Sequence, residues 1–263
     1  MIAARELRRI ARERRIALDL VEKDYALGWV MIGLSSITPF DGMIFKGGSA
    51  LSKVHFPSSW RISEDLDYTL NEGVRLDDAA EMLSTLPETV ESVSGGLALT
   101  FREKPYMNPG FLRVRAQYDG PITRGTIKIE ISKEKFIGDI ERIGVAKMYD
   151  YPEYEILVYT INNIIAEKMR AVIERGAARD YYDVWRLLRT SRVDVERARE
   201  LFLRKCEGKG VVFEGLNQFF PDGLEASLEP YIKLGLARLS PEPLPKMEVI
   251  LTELRADLAR ILS

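Results

Sequence analysis

"FKGGSALSKVHFPSSWRISEDLDYTL", residues 45–70, is the stretch that decides how this chain folds. The apolar segment 42–46 predicts a short strand, which ends at a Gly-Gly-Ser turn, and the residues after the turn predict the start of a helix. The segment 65–70 alternates between polar and apolar residues and predicts a second strand. A strand, a glycine turn into a helix and another strand therefore follow one another closely.

Two aspartates stand one residue apart in the second of these strands. Because residues i and i+2 of a strand point to the same face, Asp65 and Asp67 project side by side, and Leu66 points into the core. Like charges this close repel each other, and Asp is disfavoured in strands. The pair predicts a site for Mg²⁺ or Mn²⁺, hard cations that prefer carboxylate oxygens and are shared with substrate phosphates. Two exposed acids on an edge strand are the alternative.

A third carboxylate lies in the later segment "GTIKIEIS", residues 125–132. Its isoleucines predict a buried strand face, which places Lys128 and Glu130 on the opposite face. If the two strands are neighbours, Glu130 joins the aspartates and completes the ligand set of a two-metal site. The alternative is a surface Glu130 paired with Lys128 or with a nearby arginine.

The glycine turn itself predicts phosphate binding. Gly47 and Gly48 allow a close approach of backbone to phosphate, and free N–H groups at a helix start bind anions. The pattern is neither the dinucleotide-binding glycine motif nor a Walker A loop. A Gly-Gly-Ser turn alone is a weak signal, but one followed at this distance by Asp-x-Asp is much stronger.

Composition excludes several other classes of protein. The 263 residues include 38 Lys and Arg against 40 Asp and Glu, so bulk charge does not indicate a strongly basic nucleic-acid binder. The chain has one cysteine, Cys206, and one histidine, His55, which allow no internal disulfide and no zinc site of usual spacing. Nothing around His55 resembles a nucleophile elbow, so a Ser-His-Asp hydrolase is not expected.

The first residues are rich in arginine and contain no apolar signal-peptide stretch. These arginines alternate with acids such as Glu6 and Glu13, so they form either a solvated helix face or an arm that contacts RNA. No segment approaches the roughly 18 apolar residues of a membrane span. We expect a cytoplasmic protein with no membrane partner.

The hydrophobic period divides the chain into two parts. Two helices are predicted within residues 2–35, and period-two alternation then predicts about five strands of a mixed sheet, with a helix near 76–93 that Pro87 breaks or kinks. From about residue 158 the period is 3.6, and four helices follow, the first ended by Gly176. We therefore expect a mixed α/β domain over residues 1–150 and a helical domain over residues 151–263.

A second group of charged residues lies in the helical part. Lys168 falls on the apolar stripe of its helix, and an inward-facing lysine needs an anionic partner. In the next helix Asp180 and Asp183 share an inward face, and Arg179 precedes them. A bound triphosphate could neutralise Lys168, or Lys168 and the acids could form a buried ion pair that locks the two helices. Both can hold at once.

Three segments of the sequence resemble a known family. "KGGSALSK…SEDLDY" is similar to the motif of the polymerase-β-like nucleotidyltransferase superfamily, and more closely to the AbiEii/AbiGii toxins of type IV toxin–antitoxin systems. "LVEKDYALGWVM" (20–31) resembles the helix that precedes the glycine turn in that family, and "IAEKMRAVIERGAARDYYDVW" (165–185) resembles a later family segment. Residues 191–263 carry no matching motif. The resemblance implies an α/β (α+β) fold: a mixed nucleotidyltransferase sheet with flanking helices and a helical C-terminal domain.

The resemblance also implies an activity. It implies nucleotidyl transfer from a nucleoside triphosphate to an acceptor hydroxyl, with the 3′ end of tRNA as the acceptor and an antitoxin protein as the partner. Transfer to a protein or small molecule, or a nucleotide-binding module without catalysis, are the alternatives. The predicted site residues are the following: catalytic Asp65, Asp67, Lys168 and Asp180; nucleotide-binding Gly47, Gly48, Ser49, Lys53, Ser63, Lys168, Arg179 and Asp183; metal-binding Asp65, Asp67 and Glu130.

Overall fold

A computed structural model describes residues 1–37, 42–57, 59–190 and 192–262. The chain divides into two compact units. The first comprises Met1–Phe136 and Glu141–Val158, and the second comprises Ile137–Ile140 and Tyr159–Ser263. The short segment 137–140 belongs with the second unit, and the expected domains over residues 1–150 and 151–263 stay a prediction.

The first unit is built from a sheet and helices. Its helices are α1 (Ala4–Arg14), α2 (Leu18–Ser36), α3 (Gly47–Ala50), α4 (Leu76–Ser84) and α5 (Leu86–Ser94), and α3 continues as a π-helical turn, Leu51–His55. The strands are β1 (Met43–Lys46), β2 (Asp65–Leu70), β3 (Ala98–Phe101), β4 (Tyr106–Asn108), β5 (Phe111–Asp119), β6 (Arg124–Ser132), β7 (Ile140–Gly144) and β8 (Glu155–Tyr159).

The strands form one mixed sheet, as the sequence predicts. Their order is β3-β5-β6-β2-β1-β8-β7, with β4 added to β5, and the sheet has eight strands within the part of the chain that the structure describes. Neighbours β1 and β2, and likewise β5 and β6, are antiparallel, whereas β2 and β6 are parallel. The parallel pair matters most for function because it brings β6 beside the aspartate strand.

The five predicted strands are all present, and β4, β7 and β8 are additional. The predicted helix near 76–93 is two helices, α4 and α5, because Pro87 lies in the first turn of the second one. One face of the sheet is apolar: the β5 residues Leu112, Val114 and Ala116 are buried on it. Helix α2 is buried along most of its length and lies beside α5, so it is a core helix rather than an amphipathic surface helix.

The geometry of helix α1 favours one of the two interpretations of the arginine-rich start of the chain. Arg9 pairs with Glu6 and, at 2.5 Å, with Glu13, and all three side chains are largely exposed. These i,i+3 and i,i+4 pairs are typical of a solvated helix face.

The second unit is helical. Its helices are α6 (Ile161–Arg175), α7 (Ala178–Leu187), α8 (Val195–Lys209), α9 (Leu224–Tyr231) and α10 (Met247–Leu262). Gly176 ends α6 with φ 58°, as predicted, because a left-handed residue at this position favours glycine. Helix α9 was not predicted from the sequence. Of the helices within the described residues, none combines the length and apolarity required to cross a membrane.

Candidate active site

The glycine turn lies directly against the second aspartate. Gly47 has φ +77°, and a Cβ atom there would stand 2.7 Å from Oδ2 of Asp67, closer than real contacts allow. A Cβ at Gly48 would stand 3.1 Å from Nη2 of Arg61 and 3.2 Å from Oγ of Ser63. Glycine is therefore required at position 47 for two reasons, the backbone conformation and the approach of a carboxylate. The turn is held by β1, whose Lys46 is in register with Asp67.

Ser49 has a structural contact at this turn. Its hydroxyl is buried and donates a hydrogen bond to the backbone carbonyl of Asp65. This bond ties α3 to the first residue of β2, so the helix after the turn and the aspartate strand hold each other in place. The predicted contact of Ser49 with a phosphate stays a prediction.

The three predicted metal-binding acids lie on neighbouring strands. In the parallel pair of β2 and β6, Asp67 is in register with Glu130, and Asp65 is in register with Lys128. Nζ of Lys128 is 3.3 Å from Oδ2 of Asp65 and 2.6 Å from Oε2 of Glu130. Nη2 of Arg113 is 3.2 Å from Oε1 of Glu130. Glu130 thus stands beside the aspartates and is also paired with Lys128 and an arginine, so both interpretations of its environment apply.

The protonation equilibria of this cluster follow from burial and crowding. Burial raises the pKa of Asp67, and the nearby charges of Asp65 and Glu130 raise it further, although Lys46 and Lys128 act against them. Burial also disfavours the charged form of Glu130, but its hydrogen bonds to Lys128 and Arg113 lower its pKa below the usual value. On balance, burial therefore disfavours the ionised form of Asp67.

The donor set fits a hard divalent cation in its chemistry. Three carboxylates on adjacent strands supply oxygen ligands, and the raised pKa of Asp67 shows a negative charge that an added cation would stabilise. Across the residues with described positions, no three Asp, Glu, His or Cys side chains already stand at metal-binding distance. The ammonium of Lys128 lies between Asp65 and Glu130, so a cation bound by both would have to displace it.

Lys53, predicted to bind nucleotide, lies in a buried polar network. Its Nζ is 2.6 Å from Oδ1 of Asp24 and also donates to the Asp24 carbonyl at 2.5 Å. Asp24 further accepts from the hydroxyl of Tyr149 at 2.7 Å, and Arg14 lies 3.3 Å away. Burial raises the pKa of Asp24, but Lys53 and Arg14 outweigh it and the net shift is downward. The lysine therefore ties the π-helical turn to α2, and this burial gives no support to the predicted nucleotide contact.

The segment 20–31 that resembles the family helix carries a second buried acid. Glu22 accepts hydrogen bonds from the backbone N–H of Ile122 at 2.6 Å and of Thr123 at 2.8 Å, and also from the Thr123 hydroxyl. These residues form the turn between β5 and β6. Glu22 therefore fixes the hairpin that carries Glu130, and nothing in the local sequence pattern indicates this contact.

The second unit contains the other predicted group as a buried ionic cluster. Nζ of Lys168 is 2.8 Å from Oδ1 of Asp180 and 3.0 Å from Oδ2 of Asp183. Arg175 donates two hydrogen bonds to Asp180, at 2.8 and 3.1 Å. Both aspartate side chains are fully buried. The ion pair that locks α6 to α7 is thus present, while contact of these residues with a triphosphate stays a prediction.

The same cluster contains one residue that the sequence did not reveal. Burial alone would raise the pKa of Asp180, but the charges and hydrogen bonds of Lys168 and Arg175 hold it well below the usual range. Arg175 sits at the end of α6, and its contact depends on the tight turn at Gly176. Arg179, predicted to bind nucleotide, is exposed on α7.

Comparison with known proteins identifies the family. A family model described as "Nucleotidyl transferase AbiEii toxin, Type IV TA system" matches residues 29–261, which is most of the chain. This chain belongs to the AbiEii nucleotidyltransferase toxin family. AbiEii membership makes it a nucleotidyltransferase, and it implies a nucleoside triphosphate as substrate and a cognate antitoxin as partner. A search of curated protein sequences finds no significant match.

Solved structures agree on the fold of this AbiEii toxin. MenT4, a nucleotidyltransferase toxin from Mycobacterium tuberculosis H37Rv, has a TM-score of 0.79 and 18% identity, over 100% of this chain and 90% of MenT4. JHP933 from Helicobacter pylori has a TM-score of 0.57 and 15% identity, over 94% and 93% of the two chains. At these identities the likeness shows the fold, and it agrees with the polymerase-β-like architecture expected from the glycine turn and the aspartate strand.

Proposed function

We propose that this AbiEii toxin is a Mg²⁺-dependent enzyme that transfers a nucleoside monophosphate from a nucleoside triphosphate to the 3′-terminal hydroxyl of a tRNA. One observation carries the proposal. The backbone of Gly47 approaches the carboxylate of Asp67 so closely that no side chain fits between them. A phosphate-binding turn placed against a carboxylate cluster is the arrangement that transfer of a phosphoryl-linked group requires.

Asp65, Asp67 and Glu130 would hold the cation. When bound, Mg²⁺ would neutralise the charge of the triphosphate and lower the pKa of the attacking hydroxyl. The backbone at Gly47 and Gly48 would approach the phosphates, and the side chain of Ser63 lines the same turn. In the reaction the acceptor hydroxyl releases its proton to solvent and its oxygen forms a bond to the α-phosphorus. The bond from that phosphorus to the β-phosphate oxygen breaks, and pyrophosphate leaves.

Lys168, Asp180 and Asp183 of the second unit are proposed as further residues that act on the nucleotide. Support comes from their burial in an ionised cluster and from the lowered pKa of Asp180, because strongly perturbed carboxylates concentrate at functional sites. The same contacts also join α6 to α7. Stability and nucleotide affinity must therefore be measured separately.

The experiment is a labelling screen. The protein is incubated with each α-labelled nucleoside triphosphate, Mg²⁺ and total RNA, and the products are separated by size. We expect label in the tRNA fraction for the wild type, none when the cation is chelated, and none for Asp65→Asn. Label in protein or in a small molecule would replace tRNA with that acceptor. Tight nucleotide binding without label in any acceptor would favour a binding module.

A further inference from the structure

The sheet face that carries the acids continues outward across two more strands. In the β5–β6 pair, Arg113 is in register with Glu130, and Arg115 is in register with Lys128. Since Glu130 is itself in register with Asp67, these side chains form rows that cross from β2 through β6 to β5. The contact of Arg113 with Glu130 at 3.2 Å confirms that they share a face.

The two faces of this part of the sheet differ sharply. Leu112, Val114 and Ala116 of β5 are buried, as are the isoleucines of β6. On the other face Arg115 is exposed, and it has no ion-pair partner among the residues that the structure describes. Arg113 is paired but its side chain keeps 37% of its exposure. Alternation has therefore produced one apolar face and one solvated, basic face.

Aromatic side chains lie at the outer edge of the basic face. Tyr106 of β4 is 57% exposed, which is unusual for a large ring. Its ring centroid is 5.6 Å from that of Phe111, and the guanidinium of Arg113 lies 5.1 Å from the Phe111 centroid. An exposed ring next to a second ring and an arginine offers flat surfaces of the kind on which bases stack.

Local charge agrees with an anionic ligand. Residues 102–135 contain eight Lys and Arg against four Asp and Glu, whereas the whole chain has a net charge of −2. Arg102, Lys104, Lys133 and Lys135 within this segment are all exposed. The positive charge of this segment thus lies partly on β5 and β6, at Arg113, Arg115, Arg124 and Lys128, and partly in the segments that flank β4 and follow β6.

We propose that the acceptor face, defined as Tyr106, Phe111, Arg113 and Arg115, binds the single-stranded 3′ end of the acceptor RNA. The inference rests on the proposed function and assigns its acceptor site. Sequence-tolerant binding of single strands combines cations that track phosphates with aromatic rings that stack on bases. Strand β4 lies three strand spacings from β2, about 14 Å, so a strand ending at Asp67 would reach Tyr106 within a few nucleotides.

The test measures RNA binding with two variants and two matched controls. Arg115→Gln removes the unpaired cation of the face. Arg75→Gln removes an exposed arginine that precedes α4 and pairs with Asp77 in the first turn of that helix. Tyr106→Ser removes the exposed ring, and Tyr231→Ser removes a tyrosine in the second unit that is 69% exposed. Binding of a fluorescent single-stranded RNA of about ten nucleotides is followed by anisotropy over a series of salt concentrations.

Arg115→Gln should reduce the slope of log K against log salt by about 0.7. Tyr106→Ser should weaken binding roughly five- to hundredfold with little change in that slope. In the transfer assay both variants should raise KM for RNA, keep kcat at saturating RNA, and keep the Kd for nucleoside triphosphate measured by calorimetry. The two controls should behave as wild type in every measurement.

The outcomes separate failure of this inference from failure of the proposed function. RNA affinity and salt slope equal to those of the controls would overturn the acceptor face, even if the wild type labels tRNA. A wild type that labels only protein or a small molecule would overturn both proposals, since the face would then have no RNA to bind. Variants that lose nucleoside triphosphate affinity as well as RNA affinity would overturn it too, because the face would then serve the nucleotide site.

Discussion

Replacing Lys168 by methionine tests the buried ionic cluster. The change keeps most of the side-chain volume and removes the charge that lies 2.8 Å from Asp180 and 3.0 Å from Asp183. Asp180 keeps its two hydrogen bonds from Arg175, whereas Asp183 loses a cation in a fully buried position. Removing one partner of a buried pair typically costs about 3–5 kcal/mol, and we expect a loss of this size in the free energy of unfolding.

Urea denaturation of the apo protein at pH 7 measures this loss. Lys205→Met is the matched control, because Lys205 is equally buried but its partner Glu167, 3.4 Å away, is partly exposed. We expect that control to cost less, because the partly exposed Glu167 carboxylate keeps its contact with solvent when the lysine is removed. Adding Asp183→Asn to Lys168→Met should recover part of the stability, since it removes a buried charge that the first change deprived of Lys168.

The pH dependence has a defined sign. The pKa of Asp180 is lower in the folded chain than in the unfolded chain, where it is about 3.9. Stabilisation from its ion pairs is therefore complete above that value and is lost as the pH falls below it. The stability difference between wild type and Lys168→Met should shrink in the same range.

Nucleotide titration by calorimetry measures whether Lys168 also contacts the triphosphate. If it contacts the triphosphate, Lys168→Met should raise the nucleotide Kd by roughly ten- to a hundredfold. A loss of stability below about 1 kcal/mol, the range of exposed pairs, would refute the reasoning that the cluster locks α6 to α7. A large loss of stability with unchanged nucleotide Kd would remove Lys168 from the active site.

Three further predictions concern the first unit. Asp67→Asn should abolish transfer and raise the apo protein's resistance to urea at pH 7. The raised pKa of Asp67 means that its ionised form costs stability, and this cost grows as the pH rises through that pKa. A variant less stable than the wild type would contradict this. Gly47→Ala should lose transfer activity. The control is Gly73→Ala, because Gly73 has a similar φ of +85° but no atom within 4 Å of an added Cβ, and it should lose only about 1–2 kcal/mol of stability. Equal activity in both variants would show that the approach of Gly47 to Asp67 is unimportant. Expression of the wild-type protein should arrest bacterial growth and expression of Asp65→Asn should not, as measured by growth curves at equal protein levels. Arrest by both proteins would show that toxicity does not depend on the carboxylate of Asp65.

Local patterns were sufficient to predict the central part of the fold. The alternation in β2 places Asp65 and Asp67 on one face, and the alternation in β6 places Glu130 on the solvated face. Gly176 ended α6 as expected from its position after an apolar helical stripe. These features depend on residues close in sequence, so the period of the pattern contains the information.

Features that depend on distant residues could not be predicted. Strand β8, Glu155–Tyr159, is a short apolar run buried on both faces, and such a run cannot be told from a buried helix segment by its period. The contact of Lys53 with Asp24 joins residues 29 positions apart, and that of Glu22 with Ile122 joins residues 100 positions apart. The ammonium of Lys128 lies between Asp65 and Glu130 because β2 and β6 are parallel neighbours. The period of each strand does not reveal which strands are neighbours.

The parallel pairing of β2 with β6 also has a consequence for how the protein is made. Asp65 and Asp67 belong to the antiparallel β1–β2 pair, whereas Glu130 belongs to the β5–β6 hairpin. The two strand pairs join through contacts such as that of Thr69 with Ser132, 63 residues apart. Closing so long a loop is slow compared with forming the β5–β6 hairpin. We therefore expect a nascent chain on the ribosome to lack a complete acid cluster until β6 has emerged and docked. Synthesis of the aspartate segment alone would leave the toxin inert, and its activity would begin only when the sheet closes.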